Sequence, residues 1–346
     1  MKDVGILGYG LYFPSRHMSA ADIAAETQGR WSPEAVRDKL GIVRKTIPGP
    51  EDGTQEMGAR AALDALARTA LDPLEIDLIL CVGEEWKEYP LTTSAIHIQE
   101  RIGAHRAWGI DLQQRCNTTL AAIKIAKDMM IADPDIATTL IVGGYRNGDL
   151  IDYTDPDVSF MYDLAAAGGA LILRRGLGRN VVLGSHTMTD GSFSRDTGVR
   201  YGGTVQPIET LPEETLRGLR ARGNRSLGVF DAEHMKKGLN EVSMANWLTC
   251  IDRALEKSGA TRADIDFLNV LHFKRSMHAD MLESLGLEAA QSVYLEDYGH
   301  AGQLDFMVSL HEGLRQGRLK EGDLMVAIAA GIGYVWGASV VRWGAG

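Results

Sequence analysis

A chain of 346 residues with 45% hydrophobic residues, 24% charged residues and 39 glycines has room for roughly two domain-sized units, which excludes a small disulfide scaffold and a disordered chain. Its formal net charge of −10 argues against nonspecific binding to nucleic acid or to an anionic membrane, because phosphate neutralisation needs Lys and Arg in excess. Three cysteines, Cys81, Cys116 and Cys250, show no CxxC spacing; they indicate neither a disulfide framework nor a zinc ribbon and fit a reducing cytoplasm.

From the N-terminus, MKDVGILGYGLYFP has too short an apolar run for a signal peptide and no small-residue cleavage site. Its GYG at Gly8 to Gly10 completes neither a GxGxxG nor a P-loop pattern, so no nucleotide loop is read from it. A helix around Met57 to Thr69 precedes the apolar run Asp77 to Val82, and a strand near Trp108 to Leu112 precedes a helix opened by Cys116 (CNTTLAAIKIAKDMM). Thr139 to Val142 forms the next strand. This alternation predicts an α/β fold with a mostly parallel, layered sheet.

The second half repeats the first. Ala65 to Val82 (ALARTALDPLEIDLILCV) aligns without gaps on Ala254 to Leu271 (ALEKSGATRADIDFLNVL), each reading as helix, acidic turn, Ile-Asp, then strand. The boundary falls near Arg174 to Asn180, giving halves 1–175 and 176–346. The run Val293 to Leu295 predicts a strand, after which His300 opens a helix (HAGQLDFMVSLHEGL), so Cys116 and His300 occupy equivalent helix starts. His272 stands just beyond its strand, opposite Gly83 and next to Glu84 of the first half. Leu324 to Val341 is uncharged over 18 residues, long enough to raise a membrane flag, but Gly331, Gly333 and Gly337 make it two buried strands around a tight turn.

If the halves pack about a pseudo-twofold axis, strand ends carrying Cys116, His272, His300 and Glu84 converge. Cys116 at a helix start suits an anionic nucleophile, since a helix N-terminus stabilises a negative charge by about 0.3–2 kcal/mol. A lone cysteine is otherwise a small buried hydrophobe, the reading taken for Cys81 and Cys250. Asp305, five residues after His300, can orient its imidazole through Nδ1, giving a Cys-His-Asp arrangement in which His takes and returns a proton. The turn Gly331 to Gly337 offers backbone amides that can approach a substrate closely, as an oxyanion hole requires.

Over nearly its whole length the chain resembles the β-ketoacyl-ACP synthase III branch of the thiolase superfamily. The resemblance rests on GYGLYFP, GIVRKT at Gly41 to Thr46, the Cys116 helix start, YDLAAAGGALIL at Tyr162 to Leu173, His272, YGHAG at Tyr298 to Gly302, and GIGYVWGA near the end. It implies a thiolase fold of two pseudo-repeated βαβαβ halves in a five-layer α-β-α-β-α arrangement, a homodimer, and no tightly bound cofactor or metal. It also implies acylation of Cys116 from an acyl-CoA or acyl-carrier-protein (phosphopantetheine) thioester, with the Cys116 and Gly333 amides as oxyanion hole.

One departure stands out: the family carries Asn in YGN where this chain has His300. A Cys-His-His set also occurs in elongating ketosynthases, which keeps decarboxylative condensation open. The His300 and Asp305 pair resembles divergent synthase III-like acyltransferases of natural-product pathways, which hand the acyl group to a hydroxyl or amine acceptor. That reading is preferred, with His272 hydrogen bonding near the thioester. Glu84 lies where hydroxymethylglutaryl-CoA synthases place a catalytic glutamate, in alignment with Glu85 or Glu88 within reach. Trp31 with Arg30 resembles the family tryptophan that stacks on the CoA adenine, although Asp149, Asp152, Asp155 and Asp157 replace an expected arginine region. The basic stretch Arg217, Arg220, Arg222, Arg225, Lys236 and Lys237 is a candidate docking face for an acidic carrier protein. A noncatalytic ketosynthase-like partner subunit is the reading of a different class, opposed by the presence of the nucleophile, both histidines and the glycine turn.

Overall fold

The computed structural model describes residues 3–83, 86–221 and 226–345. Numbered in chain order, the strands of its large sheet are β1 (Val4–Tyr12), β2 (Leu78–Cys81), β3 (Trp108–Asp111), β4 (Thr138–Tyr145) and β5 (Ala167–Arg175), then β6 (Arg179–Thr189), β7 (Phe267–Val270), β8 (Leu324–Gly331) and β9 (Val335–Ala345). In space they run β7-β8-β9-β6-β1-β5-β4-β2-β3. Read outward from the centre, the two sides match. The β1/β5 and β5/β4 pairs are antiparallel, as are β6/β9 and β9/β8; β4/β2 and β8/β7 are parallel. The sides join through β1 and β6, where Gly5 faces Val181.

The repeat extends to the residue. Pro73–Glu75 and Arg262–Asp264 form equivalent short turns, and Leu78–Cys81 and Phe267–Val270 equivalent strands, both at an offset of 189 residues. Two expectations change. The sheet is mixed rather than mostly parallel: the β8–β9 connection is too short for a crossover and forces antiparallel neighbours, and β5 runs antiparallel to both β1 and β4. The strand expected at Val293 to Leu295 shrinks to a single parallel bridge between Leu268 and Ser292. Its neighbouring carbonyls are taken elsewhere: Ser292 O by Arg318, and Glu296 O by the Val43 and Arg44 amides.

Six helices cover and divide the sheet: α1 (Thr54–Thr69), α2 (Ser94–Ile102), α3 (Thr118–Ala132), α4 (Ala232–Lys257), α5 (Arg275–Leu285) and α6 (Asp305–Arg315). Strand alternation shows the layering. Leu78 and Leu80 join a central core with α3 and α6, while Ile79 and Cys81 face α1 and α2. Likewise Met325 and Ala327 point to the central core, and Leu324, Val326 and Ile328 to α4 and α5. Each strand is therefore apolar on both faces, as burial between helices demands. The order is helix, sheet, helix, sheet, helix. Gly10 serves this packing: a Cβ there would stand 2.2 Å from Ala61 O and 2.3 Å from Ala65 N of α1.

Candidate active site

Cys116 follows β3 on the tight turn Arg115–Asn117, which runs directly into α3. Arg115 takes φ 51°, a left-handed conformation that costs a non-glycine residue on the order of 1–3 kcal/mol. Across from it, a Cβ on Gly331 would stand 2.9 Å from Gln114 O and 3.0 Å from the Cys116 backbone nitrogen, so glycine lets the end of β8 touch the thiol turn. Gly333 has open space around its Cβ position and, with Gln114, Arg115, Asp190 and Tyr334, lines a cavity of about 290 Å³ beside that turn.

His300 comes from the other half. It does not open a helix: it is a bridge residue, its N–H donating to Asp163 O and its carbonyl accepting from Ala165 N, both at 2.9 Å. The turn equivalent to Arg115–Asn117 is Gly302–Leu304, and α6 begins at Asp305, so Cys116 matches Gln303 rather than His300. The imidazole nonetheless reaches the thiol, with Nε2 3.2 Å from Cys116 Sγ and Nδ1 2.6 Å from Asp305 Oδ2. Asp305 is almost wholly buried and also accepts the N–H of Ala301 at Oδ1 and of His272 at Oδ2, each at 2.8 Å. Burial opposes charge on His300, but the Asp305 carboxylate and the Cys116 sulfur outweigh it and hold the imidazole well above its ordinary value.

His272 shares Asp305 through its backbone only. Its ring is fully buried, with Nε2 3.1 Å from Leu40 O and 3.6 Å from Asp163 Oδ2. A carbonyl at 3.1 Å requires the proton on Nε2, which leaves Nδ1, buried and without a hydrogen-bond partner among the described residues, as the unprotonated nitrogen. The ring's polar neighbours are thus Leu40 O and the Asp163 carboxylate, and it packs beside Tyr294 at 5.2 Å. Burial lowers the His272 pKa, with Asp163 and Asp305 opposing.

Glu84 lies outside the described residues. Glu88, its neighbour, is committed to the fold: Oε1 accepts the amides of Gln55 at 2.7 Å and Glu56 at 3.3 Å, capping α1, and Oε2 accepts the Thr54 hydroxyl. Trp31 packs edge-on to Tyr162 at 6.0 Å, with Lys39 5.8 Å from its ring centroid, while Arg30 bonds to the carbonyls of Thr27 and Tyr153. Asp149 pairs with Arg146, and Asp152 and Asp155 cap their own turns. Arg222 and Arg225 lie outside the described residues. Among those described, no group of three His, Cys, Asp or Glu is placed to hold a metal ion, and no helix is long and apolar enough to cross a membrane. Sequence reasoning missed Asp163, Lys45, Leu40 and the contact of Gly331.

Two copies of one strand order, joined at their first strands with buried helices between them, define a thiolase-type fold. Residues 110–191 match the family described as 3-oxoacyl-[acyl-carrier-protein (ACP)] synthase III, and residues 255–343 match its C-terminal region. A β-ketoacyl-[acyl-carrier-protein] synthase III of Symbiobacterium thermophilum is 28% identical over 347 residues, covering 99% of both chains. The crystal structure of the synthase III of Pseudomonas aeruginosa superposes with TM-score 0.84 at 20% identity, over 99% of this chain and 98% of that one. The priming β-ketosynthase of the R1128 polyketide pathway superposes with TM-score 0.81 at 21% identity, over 99% and 97%. The chain belongs to the β-ketoacyl-ACP synthase III-like proteins of the thiolase superfamily.

Proposed function

We propose that this protein is a ping-pong acyltransferase whose nucleophile is Cys116 and whose base is His300. The Cys116 thiolate attacks the carbonyl carbon of a CoA or carrier-protein thioester. The tetrahedral oxyanion lies against the Cys116 and Gly333 amides, and the C–S bond to the leaving thiol breaks as His300 donates its proton. Having given its proton to the leaving thiol, His300 remains as a neutral imidazole with Nε2 free to accept a proton. It takes the proton of an acceptor hydroxyl or amine as that group attacks the acyl carbon, and Cys116 departs as thiolate beside a protonated His300. Asp305 fixes the tautomer and carries the countercharge throughout.

The observation supporting this reading is His300 held between sulfur at 3.2 Å and carboxylate at 2.6 Å. An enolate formed by decarboxylation needs two donors at the thioester oxygen, and the His272 Nε2 proton is spent on Leu40 O. The alternative, decarboxylative condensation, is favoured by the synthase III names of the relatives. Acyl-Cys116 enzyme, prepared from acyl-CoA and freed of excess donor, separates the two. Acyl transfer predicts turnover with alcohol or amine acceptors and no carbon dioxide from malonyl-CoA or malonyl carrier protein; stoichiometric carbon dioxide release reverses the assignment.

The same reading divides the work between halves 1–175, carrying the thiol, and 176–346, carrying His272, His300 and Gly333. Trp31 and Arg30 would contact the CoA adenine. A homodimer is supported by edge strand β3, which exposes Trp108 by 50% and Ile110 by 41% beside the exposed Leu91 and Ile96. Three free thiols suit a cytoplasmic enzyme.

A further inference from the structure

Behind the site lies a charge that the proposed reaction does not use. Lys45 is wholly buried, and its Nζ donates to Tyr153 Oη, Tyr162 O and Leu164 O, each at 2.7 Å. Three acceptors match the three protons of an ammonium, so the pocket is built for the charged form. The two carbonyls flank Asp163, which is itself buried. This short segment is also what holds His300, since Asp163 O accepts its N–H and Ala165 N donates to its carbonyl. Gly299 closes the arrangement: a Cβ there would stand 2.6 Å from Asp163 O and 2.7 Å from Lys45 Cβ.

Electrostatics follow the same path. Burial raises the Asp163 pKa, and His272, His300 and Lys45 oppose it. Burial lowers Lys45 to about 7, with Asp163 opposing. Lys45 thus favours the charged form of Asp163 against its burial, and a charged Asp163 adds to Asp305 in stabilising a proton on His300. Further ionisable groups face this cluster: Glu26 and Asp149 next to Tyr153, His278 next to His272, and Tyr294, which packs on the His272 ring and interacts with Asp163.

We propose that Lys45 is a positioning residue of the Cys116–His300 site: its ammonium clamps the 162–164 segment and keeps Asp163 ionised, which holds His300 in place and favours its protonated form. The proposal rests on the acyltransferase reading only in taking Cys116 and His300 as the reacting pair. Removing the cation lets Asp163 take up a proton, which withdraws one carboxylate from the imidazolium. The thiolate–imidazolium pair therefore weakens.

The test is alkylation of Cys116 by iodoacetamide, followed by intact mass from pH 5.5 to 9 for wild type, Lys45→Met, Lys45→Arg and Asp163→Asn. Lys45→Met is expected to move the midpoint of the profile up by half to one pH unit, a roughly 3- to 10-fold slower reaction at pH 6.5. Lys45→Arg should restore the wild-type profile to within twofold. Asp163→Asn, which keeps the side-chain shape, should show the Lys45→Met shift and serves as the readout if Lys45→Met does not fold. Profiles of Lys45→Met or Asp163→Asn that overlie wild type overturn the proposal. A wild-type Cys116 no more reactive than a model thiol instead overturns the reading on which it rests.

Discussion

Replacing Asp305 by Asn probes the buried partner of His300 with almost no change in volume. Asp305 accepts three hydrogen bonds, from His300 Nδ1, His272 N and Ala301 N. An amide has one acceptor oxygen: with its NH2 at the Oδ2 position it confronts two donors, and flipped it confronts the Ala301 amide. One buried donor is thus left unpaired at about 1–3 kcal/mol, and the charge-assisted bond to imidazolium is lost at about 1.5–3 kcal/mol. Together these predict a fall of roughly 10²- to 10⁴-fold in thioester loading. Alkylation falls less, because a free thiol of ordinary pKa about 8.5 is still about 1% ionised at pH 6.5, which caps the loss near 100-fold. Iodoacetamide labelling read by intact mass is well suited, since Cys81 and Cys250 are buried. Asp305→Asn should be 30- to 100-fold slower than wild type at pH 6.5 and converge on it near pH 9, where thiolate forms without help. A folded variant within threefold of wild type at pH 6.5 refutes the role given to the His300–Asp305 pair.

His272→Asn keeps the backbone N–H that holds Asp305, so it should reduce Cys116 loading by less than 10-fold where His300→Asn reduces it by more than 100-fold; equal losses in quench-flow loading would put the His272 ring at the reacting carbonyl. Trp108→Glu places a charge in the exposed edge strand and should shift the particle mass by light scattering from dimer to monomer. Glu312, nearly buried, is desolvated, yet Arg315, Tyr298 and Gln316 hold its carboxyl at about 2. With the folded pKa depressed, its contribution is present above the unfolded value of about 4.3 and is lost as pH falls toward 2. Glu312→Gln should lower stability in urea melts by about 1–3 kcal/mol at pH 7, allowing for the exposure of Arg315, with the gap narrowing below pH 4.

Much of this architecture was readable because it repeats. The Ile-Asp and Ala-Leu pairs kept their spacing, and the apolar runs at Leu78 and Phe267 fell on true strands at the stated offset. Cys116, His300 and Asp305 were legible from residue type and local spacing. The structure sets the three side chains within hydrogen-bond reach of one another in series, with His300 on a bridge rather than a helix start. Lys45, Leu40 and Asp163 carried no local signal: a lysine inside GIVRKT reads as surface, and its burial arises from carbonyls more than a hundred residues away. The left-handed Arg115 was equally silent, because nothing in its side chain favours that backbone. The bond between the His272 ring and Leu40 was silent too, since Leu40 comes from the N-terminal segment.

The central claim is that Cys116 carries the acyl group to an acceptor. Wild type and Cys116→Ala should be incubated with acetyl-, malonyl- and longer acyl-CoA and carrier-protein thioesters, and their intact masses recorded before and after addition of alcohol and amine acceptors. The account predicts a single acyl adduct on wild type, none on Cys116→Ala, and loss of the adduct with appearance of ester or amide. No adduct on wild type, or one that persists in Cys116→Ala, contradicts it.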